Sequence, residues 1–198
     1  MGTIKASVPA SNITVEKWVD RILGDAKFNT PAAQASAYAP SNIALSKYWG
    51  KREASFNLPV TGSVSISLAD HGTQTDLCII DGPKHQVSLN GKGLDASDGF
   101  VIKLSQWLDR VLPKNLKLGV DTINTVPTAA GLASSASGFA ALTLSTNSLM
   151  GWNLPQHQLS ALARLGSGSA SRSLWHGFVK WHAGQLPDGS DSVANPLD

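Results

Sequence analysis

Residues 116–150 read LKLGVDTINTVPTAAGLASSASGFAALTLSTNSLM. The first eleven positions are rich in aliphatic and β-branched residues and predict a strand over 116–126. Residues 127–138 are then mostly small, and Phe139, Leu142 and Leu149 carry a long helix to about Met150. A strand that feeds a helix through glycine, alanine and serine leaves several backbone N–H groups unpaired at the helix start. Few bulky side chains keep an anion from them, and the helix dipole favours negative charge there. The segment from Ala130, Gly131, Leu132 and Ala133 to Ser134 and Ser135 is therefore a candidate phosphate cradle. The same composition also suits close packing of a helix on a sheet, and both readings stand at this point. The Walker pattern, Gly-x4-Gly-Lys-Ser/Thr, is absent from the chain.

Upstream, Phe100, Leu104, Trp107, Leu108, Val111 and Leu112 fall at helical spacing and are closed by Pro113. Before them, residues 86–89 and 73–80 read as strands, joined through Asp81-Gly82. Val64, Ile66 and Leu68 alternate with Ser65 and Ser67, the period of a half-buried strand. Residues 35–68 as a whole suggest short extended segments broken by Pro40, Gly50, Pro59 and Gly62. At the N-terminus, Val15, Trp18, Val19, Ile22 and Leu23 predict an amphipathic helix over 14–24, packed on the domain, with a linker over 25–34. Downstream, a helix is expected over 155–165, a Gly/Ser run over 166–173 and a strand over 174–181. Strands and helices interleave without regular βαβ alternation, so the expected class is α+β. The expected division is an extension over 1–34 and one domain over 35–198.

The chain has 198 residues, a net charge of +2, 42% hydrophobic and 15% charged residues. That charged share is well below the roughly 25% of an average protein, which argues against charge-driven disorder. A single cysteine, Cys78, excludes an internal disulfide framework and a four-thiolate zinc site. No run of five like charges occurs, so non-specific nucleic-acid binding has little support. No stretch approaches 18 uninterrupted apolar residues and no signal-peptide pattern opens the chain, so the expectation is a cytoplasmic protein without a membrane span.

Two further segments could carry chemistry. Residues 166–173, GSGSASRS, read alone as a flexible linker, yet Arg172 sits among hydroxyls between a helix and an apolar strand. Its fork of donors suits a phosphate or carboxylate, so a solvated loop and an oxyanion-binding loop are equal alternatives. Residues 41–52, SNIALSKYWGKR, place Lys47, Tyr48, Lys51 and Arg52 close together. They could clamp a polyanion, form a basic loop anchored by aromatics in the core, or bind single-stranded nucleic acid. The last is weakened because the rest of the chain lacks a basic face. His-Glu-x-x-His and Gly-x-Ser-x-Gly patterns are absent, which removes two hydrolase templates. No metal site is assigned.

Taken together, NIALSKYWGKR (42–52), PTAAGLASSASGFAA (127–141) and GSGSASRSL (166–174) resemble diphosphomevalonate decarboxylase, of the GHMP superfamily of small-molecule kinases. The resemblance runs from about Ala39 to Ala194. It implies a GHMP-kinase-type N-terminal domain, with a mixed sheet backed by helices. It implies ATP-dependent decarboxylation of 5-diphosphomevalonate to isopentenyl diphosphate in the mevalonate pathway, with magnesium accompanying ATP. By this likeness Tyr48 and Lys51 would contact the substrate diphosphate, and Lys47 would lie near the reacting C3. Ser167, Ser169 and Arg172 would hold the carboxylate end and the diphosphate, with Lys47 and Arg172 as the catalytic candidates. Residues 130–135 would hold the ATP phosphates. The family pattern differs at Thr61-Gly62, usually Asn-Ser, at Ser171, usually cysteine, and at Ser46 and His176. The family's catalytic aspartate lies in a C-terminal part absent from this chain, so no base is assigned. Two alternatives follow: a related enzyme acting on another mevalonate phosphate, or a truncated domain that binds ATP and substrate without turnover. Apolar surface left uncovered by such an ending admits a homodimer.

Overall fold

The computed structural model describes residues 13–125 and 134–197. Helix α1 (Val15–Leu23) starts where Thr14 Oγ1 accepts the Lys17 N–H at 3.3 Å, and stops at Gly24 with φ of +49°. Its Val15, Trp18, Val19 and Leu23 belong to the main buried cluster. The expected linker that follows opens instead with a 3-10 turn, Gly24–Phe28.

The sheet is organised by β1 (Gln34–Ser46) and β4 (Ser63–Ile80), paired antiparallel, with a small hairpin of β2 (Lys51–Glu53) and β3 (Leu58–Pro59) between them in sequence. The short segments expected around Pro40 form one continuous strand. Among the described strands β1 pairs with β4 alone, and its register shifts between Pro40 and Asn42, so the missing proline N–H costs no ladder bond in a central strand. The strands expected over 64–68 and 73–80 are likewise one element. Gly72 stands opposite Pro40, and a Cβ there would lie 2.1 Å from the Ala39 carbonyl oxygen. No other residue fits so close an approach of backbones.

Next come β5 (Gln86–Leu89), β6 (Lys92–Gly93), α2 (Gly99–Val111) and β7 (Lys117–Asn124). β5 and β7 run parallel with α2 crossing between them, whereas β7 is antiparallel to β4. Then follow α3 (Ser134–Leu149), α4 (Gln156–Gly166), β8 (Phe178–Trp181) and β9 (Ala194–Pro196). The strand order is β6-β5-β7-β4-β8-β9, with β1 also on β4. Leu77, Val87, Leu118 and Val120 of the sheet share one buried cluster with Trp107 of α2, Leu142 of α3 and Leu162 of α4. Trp107 Nε1 donates to the Leu162 carbonyl at 2.9 Å, which removes the cost of burying an indole N–H. The class is α+β, a mixed sheet backed by helices, as expected.

Three local expectations need correction. In β4 the buried face is the serine face: Ser63 and Ser65 are 3% and 0% exposed, while Val64 and Ile66 are half-buried. Residues 166–173 are no open loop; Gly168–Arg172 forms a 3-10 turn with Gly168, Ala170, Ser171 and Arg172 buried. The expected strand over 174–181 shrinks to β8, because the chain turns before it at Gly177, with φ of +78°. No described helix is long and apolar enough to cross a membrane.

Candidate functional site

Arg172 ends the 3-10 turn and is 2% exposed. Its Nε donates to Ser65 Oγ at 3.0 Å, Nη1 to Ser63 Oγ at 2.5 Å and Nη2 to Asn42 Oδ1 at 3.3 Å. These partners explain the inverted burial of β4, since the strand turns its hydroxyls toward a guanidinium. The Arg172 Cζ lies 6.0 Å from the centre of the Trp181 ring. No described carboxylate forms an ion pair with it. Burial pushes its pKa down to about 10, opposed by the nearby Tyr48 phenol, so it stays charged at neutral pH. A buried cation held only by neutral oxygens keeps its charge uncompensated, an arrangement that costs stability but favours an incoming anion.

The turn that carries Arg172 is shaped from within. Ser171 Oγ donates to the Gly168 carbonyl at 2.7 Å, and Ser167 and Ser169 hydroxyls lie 3.1 Å apart. Gly166 lets the turn descend onto α3, because a Cβ there would fall 2.0 Å from Phe139 Cδ1. At Gly168 a Cβ would stand 3.2 Å from the Tyr48 hydroxyl and 3.0 Å from the Trp181 ring. Tyr48 packs edge-on against Trp181, with centroids 5.0 Å apart at 76°. Thus Tyr48, Ser167, Ser169 and Arg172, named from the sequence, converge on one place.

Lys47 and Lys51 lie on either side of Tyr48 and are exposed, and their ammonium groups make no hydrogen bond or ion pair to a described residue. Arg52 serves structure instead: its guanidinium donates to the Ala183 and Leu186 carbonyls and ties the β2–β3 hairpin to residues 183–186. Trp49 is 74% exposed, so only Tyr48 provides the expected aromatic anchor. Thr61 Oγ1 accepts the Trp49 N–H at 3.1 Å and so shapes the turn that carries the lysines.

Ala130, Gly131, Leu132 and Ala133 lie outside the described residues. Ser134 opens α3, and Ser135 is exposed in its first turn. One turn in, Ser137 is fully buried and bonds to Ser41 at 3.1 Å and Thr73 at 2.8 Å. Ser41 therefore fastens the start of α3, while its neighbour Asn42 fastens Arg172. Asn42 Nδ2 also donates to Ser173 Oγ at 2.6 Å and to the Ser169 carbonyl at 3.3 Å. Asn42, Ser63, Ser65 and Trp181 were not singled out from the sequence as site residues. Asn42 stands within a segment chosen for its cations, whereas Ser65 reads only as part of the alternation of a half-buried strand and Ser63 gives no signal.

Residues 39–194 match the diphosphomevalonate decarboxylase-like N-terminal domain. A diphosphomevalonate decarboxylase from Ganoderma lucidum is 46% identical over 177 residues, covering 81% of this chain and 44% of that protein. The crystal structure of mevalonate diphosphate decarboxylase from Staphylococcus aureus matches with a TM-score of 0.77 at 38% identity, over 84% of this chain and 50% of that one. A structure of MDDEF in complex with MVAPP, AMPPCP and magnesium matches with a TM-score of 0.72 at 36% identity, over 84% of this chain and 51% of that one. This chain spans about half the length of the proteins it matches. By sequence over most of its residues and by the course of its backbone, it belongs to the diphosphomevalonate decarboxylase-like N-terminal domain family, with the GHMP-kinase-type fold.

Proposed function

We propose that the protein to which this chain belongs carries out ATP-dependent decarboxylation of 5-diphosphomevalonate. In that reaction the γ-phosphoryl group of ATP passes to the tertiary 3-hydroxyl oxygen, which gives up its proton, and ADP is released. The C3–O bond then breaks and inorganic phosphate leaves. The bond to the carboxylate breaks at the same stage, its electron pair forming the new C=C, so the products are carbon dioxide and isopentenyl diphosphate.

Phosphoryl transfer asks mainly for positioning and charge stabilisation. Arg172 would hold an anionic end of the substrate, with Ser167 and Ser169 adding hydroxyl donors. Tyr48 and Lys51 would bind the diphosphate, and Lys47 would lie near C3. Residues 130–135 would receive the ATP phosphates on backbone N–H groups leading into the first turn of α3. Magnesium, when bound, would neutralise phosphate charge, carried by ATP rather than by a dedicated protein cage. The cytoplasm is the compartment we assign.

The observation that carries this reading is Arg172: a buried guanidinium with hydroxyl and amide partners and no described acid, beside Tyr48 and the serine turn. The test is an assay of phosphate and carbon dioxide release from ATP and 5-diphosphomevalonate. Release of both products with ADP is expected from the full-length protein. Binding of both ligands without either product would replace this reading with that of a non-catalytic binding domain.

A further inference from the structure

The residues assigned to the substrate share a support that none of the assigned roles includes. Trp181 is fully buried on β8, yet it lies outside the main core. With Val179 and Ala194 it forms a small separate cluster, against which Tyr48 and Trp175 pack. Three parts of the site meet its ring. Tyr48 stands edge-on to it at 5.0 Å, the Arg172 guanidinium lies 6.0 Å from its centre, and the Gly168 backbone passes so close that a Cβ would sit 3.0 Å from its Cη2. Its backbone pairs with Ser63, whose hydroxyl accepts from Arg172.

We propose that Trp181 is a positioning residue for the substrate end of the site, setting Tyr48, the 167–169 turn and Arg172 at fixed separations. The inference rests on the reading of that site as the place where 5-diphosphomevalonate binds. Edge-to-face packing and a cation over a ring face are both directional, so one indole can orient a phenol and a guanidinium together. Its own N–H has no hydrogen-bond partner among the described residues. The ring therefore contributes through its faces and edges, which a phenylalanine partly reproduces and a leucine does not. The start of α3 has its own fastening, in which Ser137 bonds to Ser41 and Thr73, and no hydrogen bond among the described residues links these three to Trp181.

The experiment is titration calorimetry of 5-diphosphomevalonate and, separately, ATP into wild type, Trp181→Phe and Trp181→Leu, with melting temperatures measured alongside. Trp181→Leu is expected to weaken 5-diphosphomevalonate about ten-fold while ATP affinity stays within about two-fold. Trp181→Phe is expected to recover most of that loss. Should the leucine variant not fold, Gly168→Ala supplies a second test, because a Cβ there would stand 3.0 Å from Trp181 Cη2 and 3.2 Å from the Tyr48 hydroxyl, so that both must give way. A selective loss of 5-diphosphomevalonate affinity is expected there too. Equal loss of both ligands, or unchanged 5-diphosphomevalonate affinity in the variants, overturns the positioning role. A wild type that binds ATP but no 5-diphosphomevalonate overturns the reading of the site and this inference with it.

Discussion

Asn42 accepts a hydrogen bond from Arg172 Nη2 at 3.3 Å across 130 residues of sequence. The amide is fixed in this sense because its nitrogen already donates to Ser173 Oγ and the Ser169 carbonyl. A neutral acceptor at this point holds the guanidinium in place without cancelling its charge.

Asn42→Asp tests that distinction directly. The variant places a carboxylate where the amide oxygen stands, so the internal ion pair competes with any external anion. Affinity for 5-diphosphomevalonate is expected to fall at least about ten-fold, while thermal stability shifts by only several degrees, because the ion pair gained with Arg172 offsets the donations to Ser173 Oγ and the Ser169 carbonyl that a carboxylate cannot make. Calorimetry and a melting curve check both; an undiminished affinity would show that the anion does not depend on the open charge of Arg172.

Arg172 and Lys180 make a second comparison. Lys180 is exposed on β8, one residue from Trp181. Arg172→Ala removes a buried charge and its directed donors, and is expected to lower kcat/KM or affinity for 5-diphosphomevalonate roughly thirty-fold, about 2 kcal/mol. Lys180→Ala is expected to change either by less than about two-fold. Equal effects of the two substitutions would count against the assigned turn.

Away from the site, His85 predicts a pH dependence of stability. Its Nδ1 accepts the Leu118 N–H at 3.0 Å, and its Nε2 lies 3.4 Å from Asp109 Oδ1. Burial holds its pKa below the usual 6.5, helped by the neighbouring Lys117 and opposed by Asp109. A proton on Nδ1 would also break the bond from Leu118. The unfolded chain therefore takes up a proton before the folded one does. Stability from this residue is complete above about pH 6.5 and declines as pH falls toward the lower folded value, with a slope of up to about 1.4 kcal/mol per pH unit. Denaturant unfolding between pH 7 and 5 should show this slope, and His85→Gln should flatten it. An unchanged slope in the variant would remove His85 as its cause.

Much of the scaffold was legible in the sequence, and the failures have specific causes. Helices α1 and α2 follow from apolar spacing and from the breaks at Gly24 and Pro113, which are local signals. Residues 166–173 carry the composition of a linker, and distant partners turn them into a buried turn, among them Phe139, 27 positions before Gly166, and Asn42, which bonds to Ser169 and Ser173. The burial of Ser63 and Ser65 is not legible in the sequence, because alternation says which residues share a face, never which face is buried. Their partner is a cation more than a hundred positions away. Trp181 gave no signal at all, since a tryptophan in a strand reads as core.

The measurement that bears most directly on the whole account is a crystal structure of the protein with 5-diphosphomevalonate bound. The ligand's anionic oxygens are expected within hydrogen-bond reach of the Arg172 guanidinium, the Tyr48 hydroxyl and the 167–169 turn. A ligand seated elsewhere, for example in the cavity of about 830 Å³ on the open face of the sheet by Ser36, Asp76 and Asp121, would contradict it.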